Sequence, residues 1–179
     1  MAAGRLRLTV RDWTDAGLQA LEDDGYPAIR ADRLAMKLGV SRGSFYWHFA
    51  DVLAFETALI ARWRALVLEA LDPPMQPGES RLDRFATIMR RSLMTKRRLE
   101  TQFRAWATIN PNVHAALTGL DANRESYFQR LLTRSDRSEA QTRAIARVAY
   151  WTYLGRMQTK RVPKADVEGI VKALLHLAA

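Results

Sequence analysis

No cysteine occurs in this 179-residue chain, which removes disulfides, thiol nucleophiles and thiolate metal sites together. Histidine is nearly as scarce. His48, His114 and His176 lie far apart, so a zinc site would have to gather ligands from distant segments, and no metal or cofactor is expected. No stretch approaches the roughly 20 apolar residues of a membrane span, and the first residues, with Arg5 and Arg7, lack the apolar run of a signal peptide. The expectation is a soluble, cytoplasmic protein without a membrane partner. Alternating strand patterns joined by Asn-Gly or Asp-Gly hairpin turns are absent, as are internal repeats and low-complexity tracts. No activated nucleophile, metal cluster or Gly-rich phosphate loop is legible, so an enzyme is not expected.

What is present is helical punctuation. Hydrophobic residues make up 48% of the chain, enough to bury a sizeable core. A first helix is expected from near Thr9 to before Gly25-Tyr26-Pro27, with Asp12 as a capping-box partner and Val10, Trp13, Ala16, Ala20 and Leu21 on its apolar side. Short helices follow at about 30–38 and from Ser41, then a long one from Asp51 to about Leu71. The stretch Asp72-Pro73-Pro74-Met75-Gln76-Pro77-Gly78 breaks the pattern and reads as a loop between structural units. Further helices are expected from about Ser80, from Asn110-Pro111, from Ser138-Glu139-Ala140-Gln141 to Met157, and from about Ala165 to Leu177.

The net charge is +9, yet residues 1–55 hold seven Lys/Arg and seven Asp/Glu, so the whole excess lies beyond them. Bulk charge therefore does not mark the N-terminal segment for nucleic acid, and placement of residues has to carry that argument. The window Ala31–His48 reads ADRLAMKLGVSRGSFYWH. Leu34 and Leu38 lie one helical turn apart and face a core. Ala35 sits where two helices would cross, Gly39 supplies the positive φ that ends the first helix, Val40 plugs the turn, Ser41 caps the second helix and Phe45 returns to the core. Several independent constraints of helix-turn-helix geometry agree over one short window.

The same residues, LAMKLGVSRGSFYWHF with its Gly39-Val40-Ser41 turn and Tyr46-Trp47-His48-Phe49 ending, resemble the signature of the TetR family of bacterial regulators. The resemblance is most specific over residues 28–59. It implies an all-α fold: a three-helix DNA-binding domain over residues 1–50 and a helical ligand-binding and dimerisation domain over 51–179, with a connector helix at about 51–71. Arg42 then reaches a guanine edge or falls back to a phosphate. Gly43 allows close approach to the groove or is merely a weak helix residue. Ser41 and Ser44 can bond phosphate or base, although capping alone accounts for Ser41. Tyr46 and His48 resemble the family's phosphate-clamping pair, a half-buried packing histidine being the other reading of His48. Arg30 can reach phosphate near a helix N-terminus, and Arg5 with Arg7 forms a basic arm or a solvated start. One departure stands out: Val52 occupies the place where the family usually has a phosphate-contacting lysine, while Asp51 still serves as a cap.

Beyond the proline loop the resemblance is looser. The segment Phe103-Arg104-Ala105-Trp106-Ala107, Asn110-Pro111, and Asp121 with Arg124 is similar to a subgroup of the family's ligand-binding domains. It implies a pocket for a small-molecule effector, for which Trp63, Phe85, Met89, Leu93, Phe103, Trp106, Phe128 and Trp151 are the candidate lining, with ordinary core as the alternative. Arg90, Arg91, Lys96, Arg97 and Arg98 form a basic run, read as a solvated face or as a site for an anion. The last two helices carry Ile145, Val148, Thr152, Ile170 and Leu174, the candidate interface of a homodimer, with packing within one chain as the alternative. The implied function is a ligand-responsive regulator, a repressor that binds a palindromic operator in double-stranded DNA as a dimer. The alternative is a helical small-molecule-binding or interaction protein that has lost specific DNA binding.

Overall fold

The structure, a computed structural model, describes residues 8–72, 74–95, 97–159 and 162–178, and these are helical with no strand among them. The helices are α1 (Val10–Asp24), α2 (Ala31–Lys37), α3 (Arg42–Tyr46), α4 (Val52–Leu71), α5 (Arg81–Met94), α6 (Arg98–Ala107), α7 (Pro111–Leu132), α8 (Glu139–Met157) and α9 (Lys164–Ala178). A single 3-10 turn, Tyr26–Ala28, links α1 to α2. No helix among the described residues is long and apolar enough to cross a membrane.

Local chemistry sets most boundaries. Thr9, Ser80 and Ser138 each accept from a backbone N–H three residues on, while Asp12, Asp83 and Gln141 reach back to the cap residue. These capping boxes satisfy donors that a helix start otherwise leaves open. Asp51 Oδ1 accepts from the backbone N–H of Ala54 at 2.7 Å, and Asn110 Oδ1 accepts from those of Asn112 and Val113 at 3.0 and 3.1 Å. One break departs from the sequence reading. Helices α5 and α6 are separate, with Thr95 in an extended conformation between them, although neither proline nor glycine marks the spot.

The chain packs as two compact units: Met1–Ala70 with Arg98–Leu117, and Leu71–Arg97 with Thr118–Ala179. The expected division at residue 50 thus differs from the division by packing, because α6 and the start of α7 belong with the helix-turn-helix. In the first unit, Trp13, Leu21, Leu34, Phe45, Phe55, Leu59, Phe103 and Trp106 are fully or almost fully buried. Helix α1 buries Trp13, Ala20 and Leu21 as expected, together with Thr14, Gly17 and Leu18, while Val10 is left 46% exposed. Gly17 is where α1 meets α4: a Cβ there would stand 2.7 Å from Phe55 Cζ.

The second unit is built from α5, the rest of α7, α8 and α9. Its core joins Phe85, Ile88, Met89 and Leu93 of α5 to Tyr127, Phe128, Tyr150, Tyr153, Val167, Val171 and Leu174. Charged groups fasten its edges. Arg90 makes a two-point contact with Glu168 of α9, at 2.7 and 3.1 Å. Buried Arg84 donates to Glu79 at 2.6 Å and to the Pro74 carbonyl at 2.8 Å, pinning the proline loop to α5. Arg124 lies 3.7 Å from Asp121 and over the ring of Tyr153.

Candidate nucleic-acid interface

The turn between α2 and α3 takes the form its residues demand. Gly39 has φ of 67°, a conformation that costs an ordinary L-residue about 1 kcal/mol or more. The backbone N–H of Gly39 donates to Met36 and that of Val40 to Ala35, at 3.1 and 3.0 Å. Leu34, Ala35 and Phe45 are buried beneath the turn. The Phe45 ring meets Trp13, Phe49 and Phe55 with centroids 5.4, 5.1 and 5.4 Å away. The contacts with Trp13 and Phe55 are edge-on, and such pairs each add about 0.5–1.5 kcal/mol beyond burial, so the inward side of α3 is held firmly and its outward side is presented in a fixed pose.

That outward side carries Ser41, Arg42, Gly43 and Tyr46, all exposed, with Ser44 half-buried beside them. The Arg42 guanidinium donates to the Tyr46 hydroxyl at 3.2 Å and lies 5.7 Å from its ring centroid. The two side chains form one cationic and aromatic unit. Ser41 occupies the N-cap position of α3 without making a side-chain cap bond, so the expected capping role is not met. A helix this short exposes its starting N–H groups anyway, and the hydroxyl is left for another acceptor or donor. Gly43 has an ordinary helical φ, and an added Cβ would meet only Ser41 Oγ at 3.7 Å. Nothing inside the protein requires glycine there, which is what close approach by an external surface would select. His48 is half-buried, 6.3 Å from Trp13, and so combines packing with an accessible edge.

A cleft of about 220 Å³ opens beside this surface, lined by Ile29, Arg30, Ala31, Asp32, Arg42, Tyr46 and Val52. Arg30 is half turned into an ion pair with Asp32 at 3.3 Å. Burial pulls the Asp32 carboxyl upward, but the Arg30 hydrogen bond and charge, with two backbone N–H groups, outweigh it and leave the pKa below the ordinary value. The cleft therefore holds two arginines against one fixed carboxylate. Val52, 40% exposed, occupies the wall where another cation would strengthen it. Sequence reasoning assigned nothing to Trp47, whose ring is 89% exposed just past α3, or to Met36 on α2, 80% exposed. The signal was available: Trp47 is a large aromatic that the buried pattern of Phe45 and Phe49 leaves unused. Arg5 and Arg7 lie outside the described residues.

The candidates for an effector pocket fall into two groups. Trp63, Phe103 and Trp106 are buried in the first unit, with Trp63 and Phe103 stacked at 3.9 Å. Phe85, Met89, Leu93 and Phe128 are buried in the second unit, with Phe85 and Phe128 edge-on at 5.5 Å. Trp151 joins neither, being 60% exposed on α8. Its position places it with Val148, 43% exposed, and the half-buried Ile145 and Thr152 of the same helix. Ile170 is half-buried on α9, whereas Leu174 is taken up by the unit's own core. The basic run is also divided: Arg90 pairs with Glu168, Arg98 donates to the Asp23 carbonyl at 2.6 Å, and Lys96 lies outside the described residues.

Comparison with known proteins bears on residues and fold separately. Residues 14–51 match the family of bacterial regulatory proteins described as the tetR family. A helix-turn-helix-type transcriptional regulator of Pseudomonas putida, TtgW, is 31% identical over a stretch covering 35% of this chain and 60% of the relative. The chain thus spans about 60% of the length of that curated relative. Among solved structures, GusR of Salmonella enterica superposes with a TM-score of 0.72 at 16% identity, over 99% of this chain and 96% of its own. A TetR-family regulator of Streptomyces coelicolor gives 0.68 at 19% identity, over 95% and 81%. The tetR-family match lies over the helix-turn-helix, and the all-helical fold is shared with these solved structures along nearly the whole length of this chain.

Proposed function

We propose that this protein is a DNA-binding transcriptional regulator that represses by occupying an operator and is released by a small-molecule effector. The observation that carries the reading is the outward side of α3. Arg42 and Tyr46 form one unit beside Ser41 and Gly43, on a helix fixed from below by Phe45. In this reading Arg42 contacts a guanine edge, and Tyr46, His48, Ser44 and Arg30 contact phosphate. Residues 1–50 act as the reading head, and 51–179 as the regulatory and dimerising body. The buried aromatic groups at Trp63, Phe103 and Trp106, and at Phe85, Met89 and Phe128, are where an apolar effector would find contacts. A second copy of the chain would meet the α8 face bearing Val148, Trp151 and Thr152, with Ile145 and Ile170 at its edge. Two-fold symmetry would then set two α3 helices against half-sites about 34–36 Å apart. The protein works in the cytoplasm, and no catalytic step enters this scheme.

The test is a titration against duplex DNA flanking the protein's own gene, at two salt concentrations, with an Arg42→Ala, Tyr46→Ala double variant in parallel. A bidentate arginine contact is worth about 1–3 kcal/mol, so the double variant should lose at least about tenfold in affinity for a specific site. Equal binding by parent and variant, or no duplex binding at low salt, would reject the reading and favour an interaction protein without DNA specificity. The neutral head and Val52 give that second reading its footing.

A further inference from the structure

One buried carboxylate in the first unit has no part in contacting DNA or in the apolar core. Glu56 of α4 is 7% exposed. Its Oε1 accepts from the Tyr26 hydroxyl and its Oε2 from Asn110 Nδ2, each at 3.2 Å. Both donors are themselves committed elsewhere. Tyr26 sits in the 3-10 turn that leads into α2, and its ring stacks on Trp106 of α6 at 4.8 Å. Asn110 spends its other amide atom, Oδ1, on capping α7. A single carboxylate thereby ties three things: the entry to the helix-turn-helix, the N-terminal part of α4, and the first turn of α7.

The surrounding contacts run the same way. Arg98 donates to the Asp23 carbonyl at the end of α1, Gln102 lies against Gly25, and Trp106 covers Tyr26. These residues recur every four positions along α6, and Asn110 continues the spacing past its end. The corner Asp23–Tyr26 is thus gripped by one stripe of α6, and at Glu56 the grip passes through a group that is costly to bury. Burial pushes the Glu56 carboxyl above its ordinary range, against the two hydrogen bonds that pull it down, so its position is maintained at a cost that packing alone would not demand.

We propose that Glu56 is a positioning residue for DNA reading, the junction through which the start of α7 governs the order of the Tyr26 corner and of α2 and α3 behind it. The proposal rests on the regulator reading for its purpose. An effector that displaced Asn110 would release Glu56, and with it Tyr26, without touching the recognition surface. Coupling of this kind is reciprocal: disturbing Tyr26 must loosen the α7 cap as much as disturbing Asn110 loosens the head.

The test uses the whole protein with neither DNA nor effector, so its outcome is independent of the regulator reading. Amide hydrogen exchange is followed in the parent, Asn110→Asp, Tyr26→Phe, and Asn110→Asp combined with Glu56→Gln. Asn110→Asp keeps a good helix cap but sets a second carboxylate against Glu56. Since a hydrogen bond to a charged group is worth about 1.5–3 kcal/mol, amides of residues 26–46 should exchange roughly tenfold faster or more. Adding Glu56→Gln should restore the parent's rates, because the new amide can donate to the introduced carboxylate. Tyr26→Phe keeps the stack on Trp106 and removes one hydroxyl, and should speed exchange at the amides of Asn112 and Val113. If Asn110→Asp unfolds the protein, Tyr26→Phe decides alone. Unchanged rates at the far end of the junction in either folded variant overturn the proposal, as does failure of Glu56→Gln to rescue.

Discussion

Replacing Gly17 by alanine adds one methyl group at the close crossing of α1 and α4. The new Cβ would stand 2.7 Å from Phe55 Cζ and 3.0 Å from Leu59 Cδ1. Neither neighbour can give way freely. Phe55 is 1% exposed and wedged against Phe45 and Phe49 at 5.4 and 5.0 Å, and Leu59 is wholly buried. Forcing a methyl into such a site costs about 1–3 kcal/mol, and the crowding favours the upper part of that range. Alanine repays part of it, because glycine inside a helix is worse by about 1 kcal/mol. The net loss should be about 1–2 kcal/mol, a fall in melting temperature of roughly 2–8 °C for a chain of this size. Thermal unfolding followed by circular dichroism measures it. Gly119→Ala is the control: Gly119 also lies within a helix, α7, but an added Cβ there meets nothing within 4 Å. It should stabilise by up to about 1 kcal/mol. The same chemical change is thus expected with opposite signs at two positions. A Gly17→Ala protein as stable as the parent, or equal shifts for both variants, would refute the account of the α1–α4 contact.

Two further outcomes follow from charged groups. Burial raises the folded-state pKa of Glu56, so the stability that its protonated form contributes is complete below the unfolded pKa and is lost as pH rises through the folded one. Glu56→Gln should therefore melt like the parent in acid and above it at neutral pH, and a parallel pH profile for the two proteins would contradict this. At the cleft, Val52→Lys adds a cation beside Arg30 and Arg42. It should tighten duplex binding and steepen the salt dependence by about one unit of slope, which a titration across a salt series would read directly.

The elements that were legible are those whose cause lies within a few residues. Thr9 with Asp12, Ser138 with Gln141, and Gly39 at the turn each settle a helix boundary by local hydrogen bonds or by φ alone. The break at Thr95 has no such local cause. The sequence around it is compatible with a continuous helix, and the chain passes there from one packed unit to the other. Helix faces were legible only in part, for a related reason: Trp13, Ala20 and Leu21 face inward as expected, but apolar content does not say which neighbours join them. Gly17 turned out to be inside α1 because α4 needs the space, and Trp151 and Leu174 exchanged their expected environments.

Glu56 is the extreme case. Beside Phe55 it reads as an ordinary solvent-facing acid, and its burial depends on partners 30 and 54 positions away. The exposed residues on and just past α3 escape this difficulty because they are defined by what the core declines. Once Phe45 and Phe49 are committed inward, Arg42, Tyr46 and Trp47 can only face out. A surface for an external partner is in this sense easier to read from sequence than a buried polar junction. The first needs only the period of one helix, whereas the second needs the tertiary fold that brings its donors together. Internal coupling is therefore the part that structure has to supply, and in this chain the proposed coupling runs through Glu56, a carboxylate no local pattern singles out.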